Sequence, residues 1–90
     1  MMRYKLYATT GDEDKLIYED NAFLKVAHKM LSCDEYSEYR IEYHSEMINE
    51  VEYVYYPKQQ MVVVLGYVSK VPMHVDTFIA YLETLDGGEG

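Results

Sequence analysis

Residues 34–53, DEYSEYRIEYHSEMINEVEY, carry seven acids against a single arginine, Arg40, with four tyrosines threaded between them. Whether this stretch is helix or strand decides the fold. Glu38, Glu42, Glu46 and Glu50 recur every four residues and would line one face of a helix, where like charges at that spacing repel. Tyr39, Ile41 and Tyr43 alternate instead with Glu38, Arg40, Glu42 and His44, the period-two pattern of a half-buried strand, and tyrosine and isoleucine suit a pleated backbone. The strand is the better reading.

Its neighbours follow from the same periodicities. Residues 45–49, SEMIN, form a connection, and VEYVYYP runs back as a strand with Val51, Tyr53 and Tyr55 on one face, ending at Pro57. The polar link PKQQ leads into MVVVLGYV, residues 61–68, apolar on both faces and so expected at the centre of a three-stranded meander. Upstream, MRYKLYAT reads as a strand, TTGDED as a turn and KLIYE as a possible second strand. Asp20 is then placed to cap a helix over NAFLKVAHKMLS, where Phe23, Ala27, Met30 and Leu31 form an apolar stripe. PMHVDTFIAYLETL repeats Val75, Phe78, Ile79, Leu82 and Leu85 at helical spacing, with Pro72 in the first turn and Gly87 as a C-cap. These elements give an α+β domain, an antiparallel sheet of about four strands with two helices packed on one face. Residues 1–86 form one compact domain, with 87–90 a flexible tail.

Composition narrows the function classes. Sixteen acids against eight bases give the 90-residue chain a formal charge of −8, which disfavours direct contact with nucleic acid or anionic lipid. The longest uncharged run, MVVVLGYVS, is far short of the roughly 20 apolar residues of a membrane helix. Cys33 is the single cysteine and no leader pattern is visible, so the expected setting is the reducing cytoplasm.

Candidate chemistry is sparse. His28, His44 and His74 fall on three different predicted elements, without the paired spacing of a zinc site. A Cys33–histidine nucleophilic pair would need partners that meet in space, and an inert cysteine at a helix end is the plainer reading. GDED, residues 11–14, lacks the glycine and downstream glutamate order of a calcium loop. Phosphate-loop, nucleophile-elbow and HExxH patterns are all missing from the sequence. No enzyme activity, cofactor or metal is expected.

The eleven tyrosines and the acids therefore carry the functional reading. Tyrosine collects on half-wet sheet faces and also at interfaces. In the strand assignment Tyr39, Tyr43, Tyr53 and Tyr55 share the face under the helices, while Glu38, Arg40, Glu42, His44, Glu50 and Glu52 share the other face with one apolar side of strand 61–68. An apolar strip flanked by acids has the character of a partner surface; cover by side-chain stems and the N-terminal segment is the alternative. Carboxylates on alternate strand residues, roughly 6.6–6.8 Å apart, make a rigid negative array of the kind DNA presents. In size, acidity and lack of catalytic motif, and in the segment DEYSEYRIEYHSEMINEVE, the chain resembles the small phage-encoded inhibitors of host nucleases, the anti-CRISPR and anti-restriction proteins. The resemblance is one of composition and rests on no shared motif. It implies a non-enzymatic inhibitor in the host cytoplasm, possible as a nucleic-acid mimic, whose partner is a basic nuclease or other nucleic-acid-binding protein. The expected contact residues are Asp34, Glu35, Tyr36, Glu38, Glu42, Glu46, Glu50, Glu52 and Tyr56. The alternative is a homodimer or small-ligand module that uses strand 61–68 as its interface.

Overall fold

The computed structural model describes residues 3–44, 52–66 and 68–87. In chain order they form β1 (Arg3–Thr10), β2 (Glu13–Asp20), α1 (Phe23–Leu31), β3 (Tyr39–His44), β4 (Glu52–Tyr56), β5 (Met61–Leu65), β6 (Lys70–His74) and α2 (Val75–Gly87). The strands make one antiparallel sheet ordered β2-β1-β3-β4-β5-β6. Six strands replace the expected four or so, and the surplus has two sources. The second strand read at KLIYE forms within β2, and β6 occupies residues expected to open the last helix.

Hairpin chemistry explains the first half of the sheet. β1 closes on β2 through Gly11 and Asp12, with Gly11 at φ 75°, the left-handed conformation that glycine supplies at the first position of a two-residue loop. Ile17 is an extra residue, since the register passes from Leu6 opposite Tyr18 to Tyr7 opposite Leu16. Beyond β2, the Asp20 carboxylate accepts from the Ala22 N–H at 2.8 Å, and α1 begins at Phe23 with no side-chain cap. Asp20 thus fixes the turn into the helix and does not cap its first-turn amides. Lys29 in the last turn complements the helix dipole.

β6 shows why a proline misleads at this position. Two ladder bonds, Gly66 N–H to Ser69 C=O and Val75 N–H to Gln60 C=O, both 2.9 Å, fix the phase of the β5–β6 pairing. By alternation Pro72, opposite Val63, falls at a non-hydrogen-bonded position, where a residue's N–H points away from the neighbouring strand. A proline on an edge strand therefore removes no ladder bond, and the helix starts only at Val75.

Register sorts the side chains into two faces. On one, Leu6, Ile41, Tyr53 and Val64 lie in a row across β1, β3, β4 and β5, and Ala8, Tyr39, Tyr55 and Val62 lie in the next. Val26, Ala27 and Met30 of α1 and Val75, Phe78 and Leu82 of α2 join Leu6, Ala8, Tyr39, Ile41, Tyr55 and Val62 in a single buried cluster. Each large apolar side chain so buried contributes about 1.5–3 kcal/mol. Phe23 packs on Tyr4 and Tyr53, at ring-centroid distances of 5.3 and 4.9 Å, and Phe78 on Tyr53 at 5.9 Å. Tyrosines supply much of this face, which we call the tyrosine face.

Candidate functional site: the charged face of the sheet

The other alternation forms three rows. A central row runs Leu16, Tyr7, Arg40, Val54, Val63, Pro72 across all six strands. Beside it run Glu19, Lys5, Glu42, Glu52, Leu65 and Lys70. On the opposite side Tyr56, Met61 and His74 are aligned. Except for Arg40 the central row is apolar or aromatic. Val54 and Val63 are only 5% and 7% exposed, yet neither belongs to the core cluster on the tyrosine face.

Arg40 organises this face. Glu42 and Glu52 stand directly opposite one another on β3 and β4, a like-charge cross-strand pair that would by itself be destabilising. The Arg40 guanidinium answers it. Nη2 donates to Glu42 Oε2 at 2.6 Å and to Asp14 Oδ2 at 2.6 Å, while Nε donates to Glu42 Oε2 at 3.0 Å and lies 3.9 Å from Glu52 Oε1. Tyr7 underlies the cation, with the guanidinium carbon 5.5 Å from the ring centroid, within range of a favourable cation–π contact. Burial disfavours the charged guanidinium, but the hydrogen bonds it donates to Asp14 and Glu42 outweigh that and raise its pKa above the ordinary value. Three carboxylates gather around this one cation, held in place because every member stands on a strand, and Lys5 stands opposite both Glu19 and Glu42 in the adjoining row. A second pair, Arg3 Nε to Glu19 Oε1 at 2.8 Å, borders the site, and that hydrogen bond lowers the Glu19 pKa.

The expected contact residues divide by location. Glu42 and Glu52 belong to the Arg40 cluster and are not the unpaired carboxylates an array of free charges would require. Tyr56 is half-buried, and its phenol pKa is raised by burial and by the charge of Glu38. Glu38 precedes β3, where its carbonyl accepts from the Thr9 N–H at 3.0 Å. Asp34 and Glu35 are exposed on the α1–β3 connection, and Tyr36 lies half-buried there. The Tyr36 N–H donates to the Tyr39 hydroxyl at 2.9 Å and the two rings meet edge to face. These three residues lie toward the tyrosine face: Tyr36 packs against the core cluster, and all three line a cleft with Tyr39. Glu46 and Glu50 lie outside the described residues.

Asp14 is the member that sequence reasoning missed. It reaches Arg40 only because β1 pairs with β2 on one side and β3 on the other, setting Asp14 opposite Thr9 and Arg40 opposite Tyr7. The alternation of DED and KLIYE after the glycine turn was the available signal.

Cys33 sits where two clefts adjoin. One of about 370 Å³ includes Lys15, Lys29, Ser32 and Tyr39 in its lining, and one of about 440 Å³ includes Tyr55, Lys58 and Gln60. Neither lining contains a histidine. The thiol donates to the Lys29 carbonyl at 3.2 Å, and burial raises its pKa despite the nearby lysine. That environment favours the protonated thiol over the thiolate nucleophile. A cluster of three or more histidine, cysteine or acidic side chains suited to a metal does not occur among the described residues. None of their helices is long and apolar enough to cross a membrane. No protein-family model matches the chain, and neither a curated protein nor a solved structure matches it.

Proposed function

We propose that the protein is a small non-enzymatic binding protein, an inhibitor that presents its charged face to a basic nucleic-acid-binding protein such as a host nuclease. On this reading both helices pack on the tyrosine face and leave the charged face to the partner. The observation that carries the proposal is the Arg40 cluster. Its carboxylates outnumber its cation, stand at fixed positions on a sheet, and flank an apolar row of Val54, Val63 and Pro72. Fixed acids select basic groups and an apolar centre supplies desolvated contact area. The Glu38 and Tyr56 side continues the surface, whereas Asp34, Glu35 and Tyr36, toward the tyrosine face where Tyr36 packs against the core, would be reached only by a partner that extends past the charged face. A protein of this kind acts in the cytoplasm of the cell whose nuclease it meets.

The test is competition. The protein is titrated against purified nucleases and CRISPR effectors, and displacement of their DNA or RNA is measured. Changing Glu38, Glu42, Glu46 and Glu50 to glutamine together is expected to weaken binding by several kcal/mol, since each desolvated interfacial pair carries about 1.5 kcal/mol or more. Binding should also fall steeply as salt rises, because surface charges are screened within about 10 Å at 0.1 M. A folded quadruple variant that binds and inhibits as well as the wild type sinks the proposal.

A homodimer is the second reading, favoured by exposed apolar groups on the β5–β6 side, Met61, Val68 and Val71. Val62 and Val63, the centre of the strand expected to form that interface, are buried within the single chain. A species of monomer mass at micromolar concentration would remove this reading.

A further inference from the structure

The sheet has two edges, and their backbones differ. Along β6 the outward-directed positions are Lys70, Pro72 and His74, by the phase of the ladder bonds at Gly66–Ser69 and Gln60–Val75. The central one has no N–H to offer, so this edge is a poor template for another strand. Along β2 the phase is set by Thr9, whose N–H is spent on the Glu38 carbonyl on the β3 side. Asp14, opposite Thr9, therefore occupies a non-hydrogen-bonded pair, and its N–H and C=O point away from β1. Leu16, two residues on and still before the extra residue Ile17, does the same. Glu13, Asp14, Lys15 and Leu16 are all exposed, Leu16 by 45%.

We propose that Glu13–Leu16 of β2 is a strand-addition site for an extended basic segment of the partner, paired to the outward backbone groups of Asp14 and Leu16. The proposal rests on the reading of the charged face as a basic-partner surface, of which Asp14 and Leu16 form the margin. Charge selects the occupant. Asp12, Glu13 and Asp14 are consecutive acids with Lys15 as the sole base among them. An added strand would set one alternation of its side chains beside Asp14 and Leu16, which calls for a basic residue and an apolar one two positions apart. A second copy fits poorly. Antiparallel pairing of β2 with itself uses the outward groups of both Asp14 and Leu16 only in the register that sets Lys15 opposite Lys15 of the other copy, and like charges directly opposite are destabilising. Side chains that repel a second copy and attract a basic strand discriminate between the two by one device.

The probe is a heptapeptide with threonine on one alternation and arginine, valine, arginine on the other, compared with a twin N-methylated at the residues that face β2. Amide hydrogen exchange of the intact protein is followed by NMR at low salt. The unmethylated peptide should slow exchange at Asp14 and Leu16 by about tenfold when nine-tenths of the sites are filled, and the twin should not. Leu16→Pro removes an N–H that the β1–β2 ladder does not use, so it should abolish the protection while the sheet persists. Should that variant fail to fold, the methylated twin and the charge-reversed double variant Asp12→Lys, Glu13→Lys, which should lose the protection, give the same discrimination. Equal binding by the twin, peptide shifts confined to Glu42 and Glu52, or no protection at the highest soluble peptide concentration overturns the proposal. The reading of the charged face fails separately, through the glutamine variants and DNA competition, which do not involve the outward amides of β2.

Discussion

The two faces of the sheet solve opposite problems with the same residue pattern. On the tyrosine face, alternate residues Tyr39, Ile41, Tyr53, Tyr55 and Val62 meet side chains of both helices and bury rings and aliphatic groups together. On the charged face their neighbours Arg40, Glu42, Glu52, Val54 and Val63 combine an ion-pair cluster with two valines that are buried outside the core cluster. The first face holds the fold together and tolerates no charge. The second carries charge that the fold must restrain, and the restraint is one guanidinium.

Adjacent valines on β5 separate the faces most sharply. Val62 is fully buried in the core cluster, whereas Val63 points to the charged face. Val62→Lys places an unpaired ammonium among apolar groups and should cost more than about 4 kcal/mol, most of the stability of a domain at the low end of the usual range of about 5–15 kcal/mol. Val63→Lys can extend its stem along the apolar row and leave its amine in water, at a cost nearer 1–2 kcal/mol. Urea denaturation of the two variants measures the difference. Equal losses would mean that the charged face is as thoroughly enclosed as the tyrosine face.

Alkaline pH probes chiefly the tyrosine face, with Tyr56 the raised phenol of the other. Burial pushes the Tyr53 phenol up to about 12, with the phenols of Tyr81 and Tyr4 adding to the shift, and burial also raises Tyr4, Tyr39 and Tyr55. A phenol whose folded pKa exceeds its unfolded value of about 10 prefers the folded state while it is protonated. This stabilisation is complete below pH 10 and is lost as pH rises through the folded value. Stability should thus be insensitive to these groups below pH 10 and fall steeply between pH 10 and 12. Tyr53→Phe should flatten that limb, and phenolate absorbance should show Tyr53 among the last to ionise.

Arg40 tests the charged face. Arg40→Met keeps the stem over Tyr7 and deletes the charge, leaving Asp14, Glu42 and Glu52 facing one another. The loss should be about 1–3 kcal/mol at neutral pH, below the several kcal/mol of a fully buried broken pair because the Arg40 side chain is still 22% exposed. Acid should narrow the gap to wild type, since protonating the carboxylates removes both their repulsion and the attraction that wild type enjoys. A gap that widens on acidification would refute the role given to Arg40.

The fold was legible where one periodicity dominated and illegible where a residue serves two structures equally well. Tyr39–Ile41–Tyr43 and Tyr53–Tyr55 declared both the strands and their buried face, because a one-residue slip would have placed every tyrosine beside the acids. Pro72 is as acceptable in the first turn of a helix as on an edge strand, and only the ladder phase from Gly66 and Gln60 decides between them. The site was half legible for a similar reason. Arg40, Glu42 and Glu52 share a face by parity, but Asp14 lies 26 residues before Arg40 and arrives through the pairing of a third strand.

The smallest effect separates anchored acids from standing ones. Glu42 receives two hydrogen bonds from Arg40, so Glu42→Gln keeps an acceptor but gives up charge assistance. About 1 kcal/mol should be lost, in keeping with the greater strength of hydrogen bonds to charged groups. Asp34 and Glu35 are exposed on the α1–β3 connection and make no ion pair among the described residues, so Asp34→Asn and Glu35→Gln should change stability by less than about 0.5 kcal/mol. If all three acids serve the partner, binding must rank them differently. Glu42→Gln weakens a carboxylate already presented in fixed geometry, whereas the exposed pair contributes chiefly to long-range attraction and its loss should lower the association rate more than it raises the dissociation rate. Stopped-flow association at two salt concentrations distinguishes these contributions. A loss at Asp34 and Glu35 confined to the dissociation rate would place them inside the interface, beside the Arg40 cluster instead of outside it.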